Sequence, residues 1–129
     1  MSKILIVDDV PANLNVLCQA LETEGYKIIA APSGTVALQI AHRTQPDLIL
    51  LDIMMPGDGG VKMYRRLKGD PALTDIPVIM LSAVTAASFR HFLTMLNAQQ
   101  AEPVPEPDHY LEKPVDHDQL IQLVRDTIG

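Results

Sequence analysis

Asp8, Asp9, Asp52 and Ser82 each stand where an aliphatic run ends. The acids follow "KILIV" and "LILL", and the serine follows "VIML"; Lys113 lies just past the shorter "DHYLE". A carboxylate at the mouth of a buried strand costs desolvation energy unless a charge meets it there. Taken singly, each residue has a structural account. Asp8 or Asp9 caps the next helix, Asp52 forms the turn before "MMPG", Ser82 is a satisfied hydroxyl and Lys113 a solvated cation. Gathered in one place they do not. Three acids repel at close range unless a cation sits among them. Oxygen ligands without clustered His or Cys select a hard ion such as Mg²⁺, which keeps several waters and seeks phosphate oxygens. His42, His91, His109 and His117 show no ligand spacing matched to these acids.

The elements that must gather them alternate regularly. Residues 3–8, 26–31, 47–52 and 76–82 read as strands apolar on both faces, with a short fifth inside 108–114. Between them a helix opens at Pro11 with Leu14, Leu17, Cys18 and Leu21 on one face, and Gly25 stops it. Ser33 caps a second helix with Val36, Ala37, Ile40 and Ala41 as its apolar face. A third covers 60–68 with Val61, Tyr64 and Leu67. A fourth runs from about 85 to 99. Asp116 and Gln119 form a capping box for the last, whose apolar side is Leu120, Ile121, Leu123, Val124 and Ile128. This is an α/β chain of (βα)5 form, a doubly wound parallel sheet, with residues 1–129 as one domain. In such sheets ligands bind beyond the carboxyl ends of the strands.

Composition narrows the function classes. At 47% hydrophobic and 20% charged, the 129 residues suit a folded domain with its own core. The net charge of −6 argues against a nucleic-acid face. Cys18 is the lone cysteine, so no internal disulfide forms and a reducing compartment is expected. No signal-peptide pattern follows Met1, and no apolar run is long enough to span a bilayer. Together these features lead us to expect a cytoplasmic protein.

"LIVDD" (5–9), "LLDIMMPG" (50–57), "VIMLSA" (78–83) and "YLEKP" (110–114), in that order along nearly the whole chain, resemble the receiver domain of two-component response regulators. The resemblance implies a flavodoxin-like sheet of order 2-1-3-4-5. It implies Asp52 as phosphoacceptor, Asp9 as a direct Mg²⁺ ligand, Asp8 as a helper acid and Met54 as donor of a backbone carbonyl to the metal. It also implies Lys113 as the cation for the phosphoryl oxygens, followed by a cis bond to Pro114, with Ser82 and Tyr110 as the switch pair. A sensor histidine kinase or histidine phosphotransferase supplies the phosphoryl group. The surface of helix four, strand five and helix five then signals to a downstream protein or a fused output domain. A phosphorylation-dependent homodimer is compatible with this, and direct nucleic-acid or membrane binding is not expected. On this reading the chain is no enzyme beyond its own phosphorylation and dephosphorylation. Two alternatives are a receiver-like interaction module that is never phosphorylated and a Mg²⁺-dependent phosphohydrolase. The full acid, hydroxyl and lysine set argues against the first, and Met54 in place of a second acid argues against the second.

Two departures from the family pattern stand out. Gly59 occupies the position before the glycine that opens helix three, where an aspartate is usual, and Asp58 falls one place earlier. The segment "NAQQAEPVPEPDHY" (97–110) is longer than the usual route to strand five. Pro103, Pro105 and Pro107 push the residues before them into extended geometry, which predicts a long mobile loop or, alternatively, a partner-docking element.

Overall fold

A parallel sheet covered on both sides has no polar face, which is why its strands are aliphatic throughout. A computed structural model describes residues 2–8, 11–53, 59–98 and 104–128. Its elements are β1 (Lys3–Val7), α1 (Pro11–Thr23), β2 (Lys27–Ala31), α2 (Gly34–Thr44), β3 (Leu48–Ile53), α3 (Gly59–Gly69), β4 (Val78–Ser82), α4 (Ala86–Ala98), β5 (His109–Glu112) and α5 (His117–Ile128). All pairings are parallel, and the sheet order is β2-β1-β3-β4-β5, the doubly wound order expected.

Alternate strand residues feed two cores. Leu5, Val7, Ile49, Leu51, Val78 and Met80 pack with the buried faces of α2, α3 and α4. Ile4, Ile6, Leu48, Leu50, Ile79 and Leu81 pack with Leu17 and Leu21 of α1 and Leu120 and Val124 of α5. Each such aliphatic side chain contributes roughly 1.5–3 kcal/mol on burial.

The helix boundaries follow local chemistry. Gly25, at φ +95°, ends α1, and the Tyr26 N–H reaches back to the Leu21 carbonyl. Ser33 accepts from the Val36 N–H, and Asp116 Oδ1 accepts from the N–H groups of Asp118 and Gln119. On α2 the apolar face is narrower than the sequence suggested. Ala37 and Ala41 are buried, but Val36 is 37% exposed, because it stands about 100° round the helix from Ala37. β4 begins at Val78 rather than Ile76. Lys68 Nζ takes the Ile76 carbonyl, Pro77 has no N–H for a ladder, and the Val78 N–H goes to Asp108 Oδ2.

The largest correction concerns the connection between α4 and β5. Residues 104–107 lie outside helix and strand, as the prolines require, but residues 104–108 do not form the mobile loop that their length predicted. Val104 is 6% exposed and belongs to the core. Its N–H and carbonyl are both clasped by the Asn97 side chain, at 2.7 and 2.9 Å. The Tyr64 hydroxyl donates to the Pro105 carbonyl at 2.7 Å, and Arg90 pairs with Glu106 at 2.9 Å. Burial, then the charges of Asp108 and Glu106, push the Tyr64 pKa up, so this hydroxyl stays a donor.

Candidate functional site at the strand ends

Strand register brings the chemistry together. Val7 lies opposite Leu51, so Asp8 and Asp52, one step on, emerge at the same level. Asp52 lies opposite Leu81 and Ser82 opposite Glu112, so Ser82 follows one residue and Lys113 two residues beyond that level. The Lys113 N–H donates to the Ser82 carbonyl at 2.8 Å, and the Lys113–Pro114 bond is cis, as the resemblance implied.

The side chains of three of the predicted residues, Asp8, Asp52 and Lys113, meet there. The Asp52 side chain is 3% exposed and meets Lys113 Nζ at 2.7 Å, while Lys113 keeps 29% of its side chain in solvent. Asp8 is buried beside Asp52, and its N–H donates to the Ala31 carbonyl. The Asp52 pKa rises from 3.8 to about 7. Burial is the main cause, followed by the hydrogen bond with Asp8 and then its charge, with Lys113 pulling the other way. Two adjoining carboxylates, with Lys113 placed at Asp52, concentrate negative charge at the strand ends. Paired carboxylate oxygens of this kind fit a hard divalent cation. No group of three His, Cys, Asp or Glu side chains gathers among the described residues. Asp9 and Met54, expected as a third acid and a carbonyl donor, lie outside the described residues, as does Asp58.

Ser82 and Tyr110 form a second layer. Ser82 is fully buried, and its Oγ accepts from the Val84 N–H at 3.0 Å. The Tyr110 hydroxyl donates to the Val84 carbonyl at 2.7 Å, with Ser82 close enough to influence its pKa. The Tyr110 ring stacks on Phe89 with centroids 5.1 Å apart. Burial raises the Tyr110 pKa, the Ser82 hydroxyl lowers it less, and the Glu112 charge adds a smaller upward push.

Three participants were not legible beforehand. The Val84 backbone bonds to both the Ser82 and the Tyr110 side chains. Glu112 Oε1 accepts from the Ala86 N–H at 2.7 Å, tying β5 to the start of α4. Val16, 50% exposed, borders a cleft of about 220 Å³ that also contains Asp52 and Lys113. Val16 falls outside the apolar stripe of α1, and an off-stripe valine was the one available signal.

The comparisons agree with this geometry. Residues 4–125 match the family model described as the response regulator receiver domain. The chain is 37% identical to the response regulator PleD of Caulobacter vibrioides over 124 residues, 96% of this chain and 25% of PleD, so it spans about a quarter of that relative. It is 32% identical to protein PilH of Pseudomonas aeruginosa over 129 residues, covering 100% of this chain and 99% of PilH. The signal receiver domain of a signal transduction histidine kinase from Syntrophus aciditrophicus superposes with a TM-score of 0.81 at 30% identity, covering 99% of this chain and 90% of that one. A (βα)5 sheet with its acids, hydroxyl and lysine at adjoining strand ends, matched along almost its whole length, belongs to the response regulator receiver domain family, the phosphoacceptor domains of two-component systems.

Proposed function

We propose that residues 1–129 act as one receiver domain whose Asp52 takes a phosphoryl group from a phosphohistidine on a sensor kinase or histidine phosphotransferase. The observation that carries this is the buried Asp52 carboxylate held 2.7 Å from Lys113 and pressed against Asp8. An Asp52 oxygen attacks phosphorus in line, the P–N bond breaks, and its electron pair returns to the imidazole of the donor. Lys113 neutralises charge on the transferring oxygens, while the rigid strand end positions the nucleophile. Asp8, Asp9, Asp52 and the Met54 carbonyl would hold Mg²⁺, which supplies further positive charge for the phosphoryl oxygens.

The product adds a dianionic group where a single carboxylate stood. Ser82 turns toward a phosphoryl oxygen only by leaving the Val84 N–H. Tyr110, whose hydroxyl is already bonded to the Val84 carbonyl, holds that turn in place as Ser82 leaves. The α4, β5 and α5 surface then carries the change to a downstream partner or a fused output domain. Apart from forming and losing its own phosphoryl group, the chain turns nothing over. No helix among the described residues is long and apolar enough to cross a membrane, which supports the reading of a cytoplasmic regulator.

Labelling with acetyl phosphate and Mg²⁺ tests this reading. One base-labile adduct per chain is expected, absent in Asp52→Asn. An adduct that survives that substitution, no adduct at all, or catalytic release of phosphate far beyond one equivalent would each refute it.

A further inference from the structure

We propose that α2 and α3 together form a docking face for a short acidic segment of another protein. The inference goes beyond the phosphoacceptor reading and does not rest on it. Helices in this fold run back along the strands. The C-terminal turns of α2 and α3 therefore lie at the opposite end of the sheet from Asp52.

The net charge of −6 conceals a segregation. Arg43, Lys62, Arg65, Arg66 and Lys68, half of the ten lysines and arginines, lie on α2 and α3, and none of the sixteen acids does. Lys68 is committed to the Thr74 and Ile76 carbonyls. Arg43, Lys62 and Arg66 are exposed, and among the described residues none of them has an ion-pair partner. A chain with more acids than bases has anions to spare, and pairs at i,i+4 on a helix surface are easily formed. Here none is formed.

Helix dipoles do not account for the pattern. They explain Arg43 and Arg66 in the last turns, but they also favour acids in the first turns, where both helices have none. Lys62 lies early in α3, one turn before Arg66 and on the same side of the helix. Between the two helices runs an open groove lined by Leu38 and His42 of α2, Arg66 and Gly69 of α3, and Asp70 and Pro71 just beyond it. His42 is held at 2.7 Å by Asp70, which fixes that wall.

Exposed cations on the two helices that form the groove, with Leu38 and Pro71 in its lining and Asp70 already engaged with His42, fit carboxylates alternating with aliphatic side chains. A long polyanion such as duplex nucleic acid fits poorly. Its charge would run past this two-helix patch onto a chain in which acids outnumber the five bases that lie off α2 and α3.

Fluorescence anisotropy with a fluorescein-labelled peptide of Glu and Leu, titrated with the full chain at low salt, tests the proposal. Binding is expected, weakened about tenfold by Arg66→Glu and by Lys62→Glu. Lys27→Glu changes net charge equally from the exposed start of β2 and should stay within about twofold of the unmodified chain. Labelling of Asp52 by acetyl phosphate should persist in all three variants, which reports both folding and an intact phosphoacceptor. Absence of peptide binding, equal weakening by all three substitutions, or tighter binding of a duplex oligonucleotide or phosphatidylserine vesicle would overturn the assignment.

Discussion

The strand-end site and the α4–β5 connection both gather polar groups against the core, and they settle them in opposite ways. At the strand ends, Asp52 and Asp8 are buried against each other and Lys113 meets Asp52 at 2.7 Å. In the connection, the polar groups of the chain find partners. Asn97 clasps both backbone groups of Val104, Tyr64 serves Pro105, Asp108 accepts from the Val78 N–H with Lys68 4.0 Å away, and the Arg90–Glu106 pair lies in solvent. The first region stores unfavourable charge, which a phosphoryl group and its counter-ion can use. The second stores none and serves as a rigid strap. Buried groups with satisfied partners give structure; a buried like-charge pair gives reactivity at the expense of stability.

That contrast can be broken experimentally, most forcefully at Asp52. Its folded pKa of about 7 lies above the ordinary 3.8. Between those values the folded chain therefore binds more protons than the unfolded one. The stabilisation is complete below about pH 4 and is lost as pH rises through about 7, a change of a few kcal/mol. With divalent ions removed by EDTA, urea unfolding should show stability falling across this window. Asp52→Asn should flatten the slope and leave the chain more stable at pH 8. A wild-type slope that is flat, or that rises, would remove the stored-charge account.

The strap should respond through packing rather than through pH. Asn97→Ala deletes both bonds to Val104 and should cost about 1–3 kcal/mol, since two backbone groups lose their partner. Amide exchange should quicken at Val104 and along the end of α4, while acetyl phosphate still labels Asp52. Loss of labelling would mean that the two regions are coupled more tightly than their separate bonding suggests. The smallest effect belongs to Arg90→Ala. Both partners of that pair are mostly exposed, so stability should move by less than about 0.5 kcal/mol. A larger loss by chemical denaturation would promote this ion pair to part of the strap's anchorage.

The strand-end set was legible because local pattern carried it. Short aliphatic runs mark buried strands, and an acid that closes such a run is conspicuous. Ser33 and Asp116 announced their helices for a similar reason, since a cap is made within three residues of itself. The strap was misread because its prolines described only its backbone. Nothing near Val104 in the chain reveals that Asn97 and Tyr64 face it.

The alternation of strands and helices, the parallel sheet and the acid, hydroxyl and lysine at strand ends were determined by the sequence itself, because burial periodicity and capping act over a few residues. Tertiary structure decided which carboxylates touch, which way Tyr110 bonds, that residues 104–108 are pinned and that cations collect on α2 and α3. Those outcomes depend on register and helix packing between residues far apart in the chain, and no local spacing encodes them.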